Sequence, residues 1–195
     1  YDESIKLHLN TFPFNGYYKV LSAVISLVNP KRGLKVMDVG IGTGFLSEEL
    51  NNRGCIIHGV DFSGEMLEKA KLRIPDGLFE TVDVSTDHFG NFSNHQYDRV
   101  VSSYFFHHLN LRQKTQLIKR TLNNNLLPHG RIIIADVGFE KESDYQAGYI
   151  KYQENWDDEE FYLCGESIVS HLQTEKIKAD YKQISSCAGI LVCRK

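Results

Sequence analysis

Three glycines alternate directly after a short apolar run, in the segment Val36-Met37-Asp38-Val39-Gly40-Ile41-Gly42-Thr43-Gly44-Phe45. The β-branched run predicts a buried strand, and the helical pattern from Phe45 to Asn52 predicts a helix close behind it. Glycines between the two allow positive φ and let a ligand approach the bare backbone. The helix that follows opens on N–H groups with no partner inside it. A strand, a glycine turn and a helix in this order commit the chain to an α/β fold with a parallel sheet. Tight turns use glycine for purely structural reasons too, so the loop alone does not fix a ligand.

The rest of the chain repeats the alternation. Strands are expected at Leu34–Val39, Cys55–Val60, Leu78–Asp83, Asp98–Ser102, Arg131–Asp136, Ile177–Ile184 and Ala188–Cys193. Helices are expected at Phe45–Asn52, Gly64–Arg73, Leu111–Asn123 and Glu166–Thr174. Ser63 is placed as an N-cap, and Pro128 with Gly130 as the turn into the fifth strand. Helical crossovers imply parallel pairing with right-handed connections. Only a turn around Ser185–Cys187 separates the last two strands, which predicts an antiparallel hairpin at one sheet edge. The predicted architecture is a seven-stranded, mostly parallel α/β sheet with a C-terminal antiparallel hairpin and helices on both faces. It forms one domain: a helical cover at 1–29, a core at 34–137, an insertion or lid at 140–162 and the closing hairpin at 177–193.

A chain of 195 residues with 42% hydrophobic and 24% charged residues suits one such domain. No apolar run has the length of a membrane helix, so no membrane association is expected. The net charge is −3 with an isoelectric point near 6.3, and no Lys/Arg block stands out, which argues against a nucleic-acid partner. Cys55, Cys164, Cys187 and Cys193 form neither a CxxC pair nor a zinc spacing. They read as free thiols in a reducing compartment, which predicts a cytoplasmic protein. The chain opens on Tyr1, so a preceding segment stays open, as does the choice between monomer and dimer.

Two acids give the glycine loop its context. Asp61 ends the second strand about 20 residues beyond Gly40, where dinucleotide folds place the acid that holds the ribose hydroxyls. Asp83, beside Val84, ends the third strand. Ligands of open α/β sheets bind outside those carboxyl ends. A nicotinamide enzyme is the natural rival, but its fingerprint is GxGxxG and this loop reads GxGxG. Asp38 stands two residues before the first glycine, where a pyrophosphate prefers a neutral approach. An acid at that place suits a cationic ligand such as a sulfonium with an amino group, which favours S-adenosylmethionine.

With these residues in place, the chain resembles the class I S-adenosylmethionine-dependent methyltransferases, whose fold is Rossmann-like. Asp38–Gly44 resembles their first motif, Gly59-Val60-Asp61-Phe62-Ser63 with Met66 the second, and Thr81-Val82-Asp83-Val84 the third. Tyr97–Leu109 resembles the fourth, and Leu127-Pro128-His129-Gly130-Arg131 the approach to strand five. The Phe106-His107-His108-Leu109 segment and the Tyr1-Asp2 start are similar to small uncharacterised bacterial methyltransferases of the YrrT-like type. The resemblance implies that Gly40 and Gly42 pack under the methionine moiety and that Asp38 orients its amino group. It implies that Asp61 holds the ribose, Phe62 and Met66 lie against the adenine, and Asp83 with Val84 meets the adenine amino group. It also implies that Ser102 lies near the methionine, that Tyr104 and His107 face the methyl group, and that S-adenosylhomocysteine is the product.

Methyl transfer is an in-line displacement from a good leaving group, so positioning and exclusion of water supply much of the catalysis. Where the acceptor carries a proton, His107 is the expected base; the alternative is a residue that only shapes the pocket. Adjacent His107 and His108 diverge, no third ligand is evident, and no metal is expected. Neither an amino-directed nucleic-acid motif nor the acid of catechol-type metal enzymes stands at Ser102-Ser103-Tyr104-Phe105. Aromatics at Phe12, Phe14, Tyr17 and Tyr18, and at Tyr145, Tyr149, Tyr152, Trp156, Phe161 and Tyr162, are candidates for a lid around the sulfonium or for plain packing. The acidic run Asp157–Glu160 reads as solvated surface. The expected function is methyl transfer to a small-molecule substrate. RNA or protein methylation and non-catalytic cofactor binding are the alternatives.

Overall fold

A computed structural model describes residues 11–195; the Tyr1-Asp2 start lies outside the described residues. The elements run α1 (Tyr17–Val28), β1 (Lys35–Val39), α2 (Phe45–Asn52), β2 (Ile56–Asp61), α3 (Gly64–Arg73) and β3 (Leu78–Thr81). They continue with β4 (Tyr97–Ser103), α4 (Leu111–Arg120), β5 (Leu126–Phe139), α5 (Glu142–Lys151), β6 (Leu163–Cys164), α6 (Gly165–Thr174), β7 (Lys178–Gln183) and β8 (Ala188–Arg194). The sheet order is β3-β2-β1-β4-β5-β8-β7, with the two-residue β6 added to β5. Strands β1 to β5 pair in parallel. β8 lies antiparallel between β5 and β7, with Ile132 opposite Cys193 and Val137 opposite Ala188.

Burial on both faces makes the middles of the central strands largely apolar, as a parallel sheet covered by helices requires. Alternate residues feed two cores. Val36, Val101 and Ile133 pack with Val20 and Val24 of α1, Leu46 and Leu50 of α2 and Leu67 of α3. Met37, Val100, Ile132 and Ile134 pack with Leu117 and Ile118 of α4 and Ile168 and Leu172 of α6. Leu50 and Ile133 are fully buried, and truncating such a side chain to alanine costs about 2–5 kcal/mol.

The sequence boundaries shift by more than one residue at four places, the first being β3, which ends at Thr81 and leaves Asp83 in the loop beyond the strand. Among the described residues, the front stretch carries helix α1, because Tyr17, Val20, Leu21, Val24 and Val28 fall on one buried stripe. It stops at Asn29, in the left-handed region at φ 52°, just before Pro30. The helix expected at Leu111–Asn123 is α-helical only to Arg120 and widens into a π-turn over Thr121–Asn125. The fully buried Asn125 amide then donates to Ser93 O and His95 O at 2.9 Å each. The strand expected from Arg131 begins at Leu126, with a register shift on its pairing to β4. Ser63 caps α3 as expected, accepting from the Met66 N–H at 3.4 Å. Among the described residues no helix is long and apolar enough to cross a membrane.

Candidate active site

The glycine loop hooks onto the end of β2. Gly40 and Ile41 N–H donate to Val60 O at 2.8 and 3.1 Å. Gly40, Gly42 and Gly44 all adopt positive φ, at 69°, 56° and 81°. No side chain fits at Gly40, because an added Cβ would lie 2.2 Å from the Phe105 ring. Asp61 anchors the loop: its carboxylate accepts from Gly42 N–H at 2.8 Å and Ser63 N–H at 2.9 Å. A cavity of about 230 Å³ opens above, lined by Gly40, Gly42, Asp61, Phe62, Met66 and Tyr104 of the expected residues. Tyr17, Phe45, Phe105 and His108 complete much of its wall.

Asp38 lies beneath this loop, 1% exposed. One carboxylate oxygen accepts from Ser47 Oγ at 2.6 Å, and the other, Oδ1, has no hydrogen-bond partner among the described residues. Burial pushes its pKa up to about 7; the Ser47 hydrogen bond opposes this and the neighbouring Asp61 charge adds to it. Ser102, also buried, donates to Val39 O at 2.7 Å and ties β4 to the end of β1. Asp83 is exposed and accepts from Ser85 N–H at 2.9 Å and Ser85 Oγ at 2.6 Å. Val84 is buried in the core. Asp38, Asp83, Val84, Ser102 and His107 do not line the cavity.

Tyr104 follows β4 at φ 52°, a conformation that a bulky residue rarely adopts. Its ring packs on Tyr17 and Phe14, with centroids at 5.1 and 5.7 Å. Next comes a single 3₁₀ turn, Phe106–His108. His107 is buried against Asp136 of β5, which accepts from its backbone N–H at 2.8 Å and contacts its Nδ1 at 2.6 Å. Val137 N–H also donates to Asp136, at 2.7 Å. Burial opposes charge on His107, but the Asp136 carboxylate, by charge and hydrogen bond, and Glu160 outweigh it and hold the imidazole above its ordinary range. His108, not His107, reaches the cavity, and burial followed by the His107 charge lowers its pKa.

The insertion closes on this turn. Phe161 N–H donates to His107 O at 2.7 Å, and the buried Lys114 Nζ donates to Phe161 O. Burial lowers Lys114 to about 8, against the pull of Asp136. The acidic run divides: Asp157, Asp158 and Glu159 are exposed as expected, whereas Glu160 is half-buried with Oε1 3.5 Å from His107 Nε2. The solvated reading is therefore corrected for Glu160, because the loop that carries it folds back over the 3₁₀ turn. None of the insertion's aromatics lines the cavity over the glycine loop. Phe12 stacks on Tyr152 and Trp156, and Trp156 on Phe139. Tyr145, Phe161 and Tyr162 line a second cavity of about 390 Å³ that Lys114 and Glu160 share. Asp136 and Glu160 escaped the sequence reading; a lone acid inside Ile132-Ile133-Ile134-Ala135-Asp136-Val137 was the available signal for the first.

Comparison with known proteins accords with this geometry. Residues 37–134 match the family model described as a methyltransferase domain. An uncharacterised methyltransferase of Bacillus licheniformis is 35% identical over 73% of this chain, and the alignment covers 63% of that protein. The uncharacterised methyltransferase YrrT of Bacillus subtilis is 34% identical over 68% of this chain, covering 59% of that protein. The chain thus spans less than two thirds of the length of these relatives. A solved complex of DhpI with SAM and HEP superposes with a TM-score of 0.74 at 14% identity, covering 95% of this chain and 89% of that one. The matched segment is the one that carries the glycine loop, Asp38, Asp61 and the His107 turn, and the chain belongs to the methyltransferase domain family.

Proposed function

We propose that this protein binds S-adenosylmethionine over the Gly40–Gly44 loop and transfers its methyl group to a small-molecule acceptor. The observation that carries the reading is Asp38: a buried carboxylate oxygen without a partner beneath a triple-glycine loop. Such a group is costly unless a cation satisfies it, and the ammonium of the cofactor's methionine supplies one. A dinucleotide pyrophosphate would meet a like charge there. Asp61 holds the ribose hydroxyls with the lone pairs its two backbone donors leave. Phe62 and Met66 lie against the adenine, and Asp83 meets the adenine amino group from the rim. Ser102 keeps the end of β1 in place beneath the methionine. The solved DhpI complex contains SAM on a similar fold.

The acceptor enters on the side of Tyr104 and His108. Tyr17, Phe45 and Tyr104 wall the cavity with aromatic faces that attract a sulfonium and exclude water. The methyl carbon moves in line from the sulfonium to a lone pair of the acceptor, and the broken bond leaves its electron pair on sulfur. Asp136 orients His107 so that Nε2, the nitrogen it leaves free, points towards Glu160. Four free thiols fit a reducing, cytoplasmic setting.

A thermal-shift panel with S-adenosylhomocysteine, S-adenosylmethionine and NADH tests the cofactor class. The first two should raise the melting temperature in a concentration-dependent way and the third should not. Stabilisation by NADH alone would reject the proposal.

A further inference from the structure

Three groups capable of binding a metal converge where the insertion meets the 3₁₀ turn. One donor atom each from His107, His108 and Glu160 lies within 4.8 Å of the others. Glu160 Oε1 stands 3.5 Å from His107 Nε2 and 4.0 Å from His108 Nδ1. The tight 3₁₀ turn brings the two imidazoles together, with ring centroids 4.2 Å apart. Two donors on one tetrahedral zinc ion are separated by about 3.4 Å, given Zn–N and Zn–O bonds of about 2.0–2.2 Å. The first pair is already at that spacing, and rotation of the exposed His108 side chain closes the others.

We infer that His107, His108 and Glu160 form a binding site for a divalent metal ion of the zinc class, open towards the acceptor side of the cavity. Three features argue for a site over a simple ion pair. Asp136 takes the Nδ1 side of His107 at 2.6 Å and is itself held by two backbone N–H groups. A carboxylate behind a histidine in this way fixes the ring with Nε2 presented as an electron-pair donor, the usual support of a metal-bound histidine. Two imidazoles with one carboxylate are a donor set suited to zinc or iron(II), while magnesium prefers oxygen ligands. Finally, His108 lines the cavity over the glycine loop and Glu160 lines the second cavity, so an ion between them keeps coordination positions facing both.

The site deepens the methyltransferase reading and rests on it for its chemical use. An acceptor hydroxyl or thiol that coordinates the ion releases its proton to solvent. The resulting anion attacks the methyl carbon, the carbon–sulfur bond breaks, and its electron pair remains on the sulfur of neutral S-adenosylhomocysteine. The acceptor class is therefore a small molecule with an acidic O–H or S–H group. His107 then serves as a metal ligand, and no basic side chain has to take the proton.

The test is calorimetric titration of the tag-free, chelator-stripped full chain with ZnCl₂, with MgCl₂ in parallel. One Zn²⁺ should bind per chain, at least 100-fold more tightly than Mg²⁺. His108→Ala, at an exposed side chain, and Glu160→Gln, an isosteric change at a half-buried one, should each weaken Zn²⁺ binding at least 10-fold. Co²⁺ should give visible absorption bands that the double variant lacks. Undetectable Zn²⁺ binding, or equal affinity in wild type and the double variant, overturns the site. Titrating S-adenosylhomocysteine into the same stripped protein separates the two readings. Cofactor binding without Zn²⁺ binding defeats the metal site alone; Zn²⁺ binding without cofactor binding defeats the methyltransferase reading.

Discussion

On the proposed role of Asp38, whose Oδ1 alone has no hydrogen-bond partner, cofactor affinity should depend on pH. In the ligand-free protein, burial first, then the Ser47 bond acting against it and the Asp61 charge adding to it, set its pKa at about 7. The ordinary value is 3.8, so the folded protein holds this proton to higher pH than the unfolded chain does. Its contribution to stability is therefore fully present below about 3.8 and is lost as pH rises through about 7. A ligand ammonium reverses that balance, because only the ionised carboxylate can pair with it. The carboxylate is roughly one-tenth ionised at pH 6 and nine-tenths at pH 8, so affinity for S-adenosylhomocysteine should rise about tenfold across the interval. That is about 1.4 kcal/mol. Calorimetry in buffers of different ionisation enthalpy should register proton release at pH 6 and little at pH 8. Asp38→Asn, measured alongside, subtracts titration of the ligand and of other groups and should flatten the profile. If wild type and Asp38→Asn give parallel profiles with equal proton release, the assignment of Asp38 to the ammonium is wrong.

Other perturbations follow from the same geometry. Asp61→Ala removes the proposed ribose partner together with the carboxylate that holds Gly42 and Ser63 N–H. A loss of about 1.5–3 kcal/mol predicts about 10- to 150-fold weaker binding of S-adenosylhomocysteine, and unchanged calorimetric affinity would reject the site. Gly40→Val puts a branched side chain at φ 69° and into the Phe105 ring. The variant should lose cofactor binding and about 1–2 kcal/mol or more of stability in denaturant titration. Asn110 caps α4 by accepting from Gln113 N–H at 3.0 Å, and the Gln113 side chain accepts in return from Asn110 N–H at 2.9 Å. Asn110→Ala should cost about 1 kcal/mol, seen as a fall of about 2–4 °C in melting temperature; no change would show that the cap carries no stability.

What the sequence determines by itself is whatever rests on local periodicity and backbone freedom. Phe45–Asn52 and Gly64–Arg73 are helices at the boundaries their patterns predict. The three glycines take the positive φ that their spacing requires, and the short Ser185–Cys187 turn forces β7 and β8 into an antiparallel pair. Asp61 was legible because a strand end carries its side chain to the sheet edge where the loop lies. Asp136 and Glu160 were not, because nothing local marks which distant turn a chain segment will meet. Strand β5 pairs with β4 and carries Asp136 under His107, and the insertion folds back through Phe161 N–H to bring Glu160 over the same ring. The tertiary structure also decided which histidine faces the cavity. Asp136 holds the His107 ring in the interior, which leaves the neighbouring His108 to line the cavity.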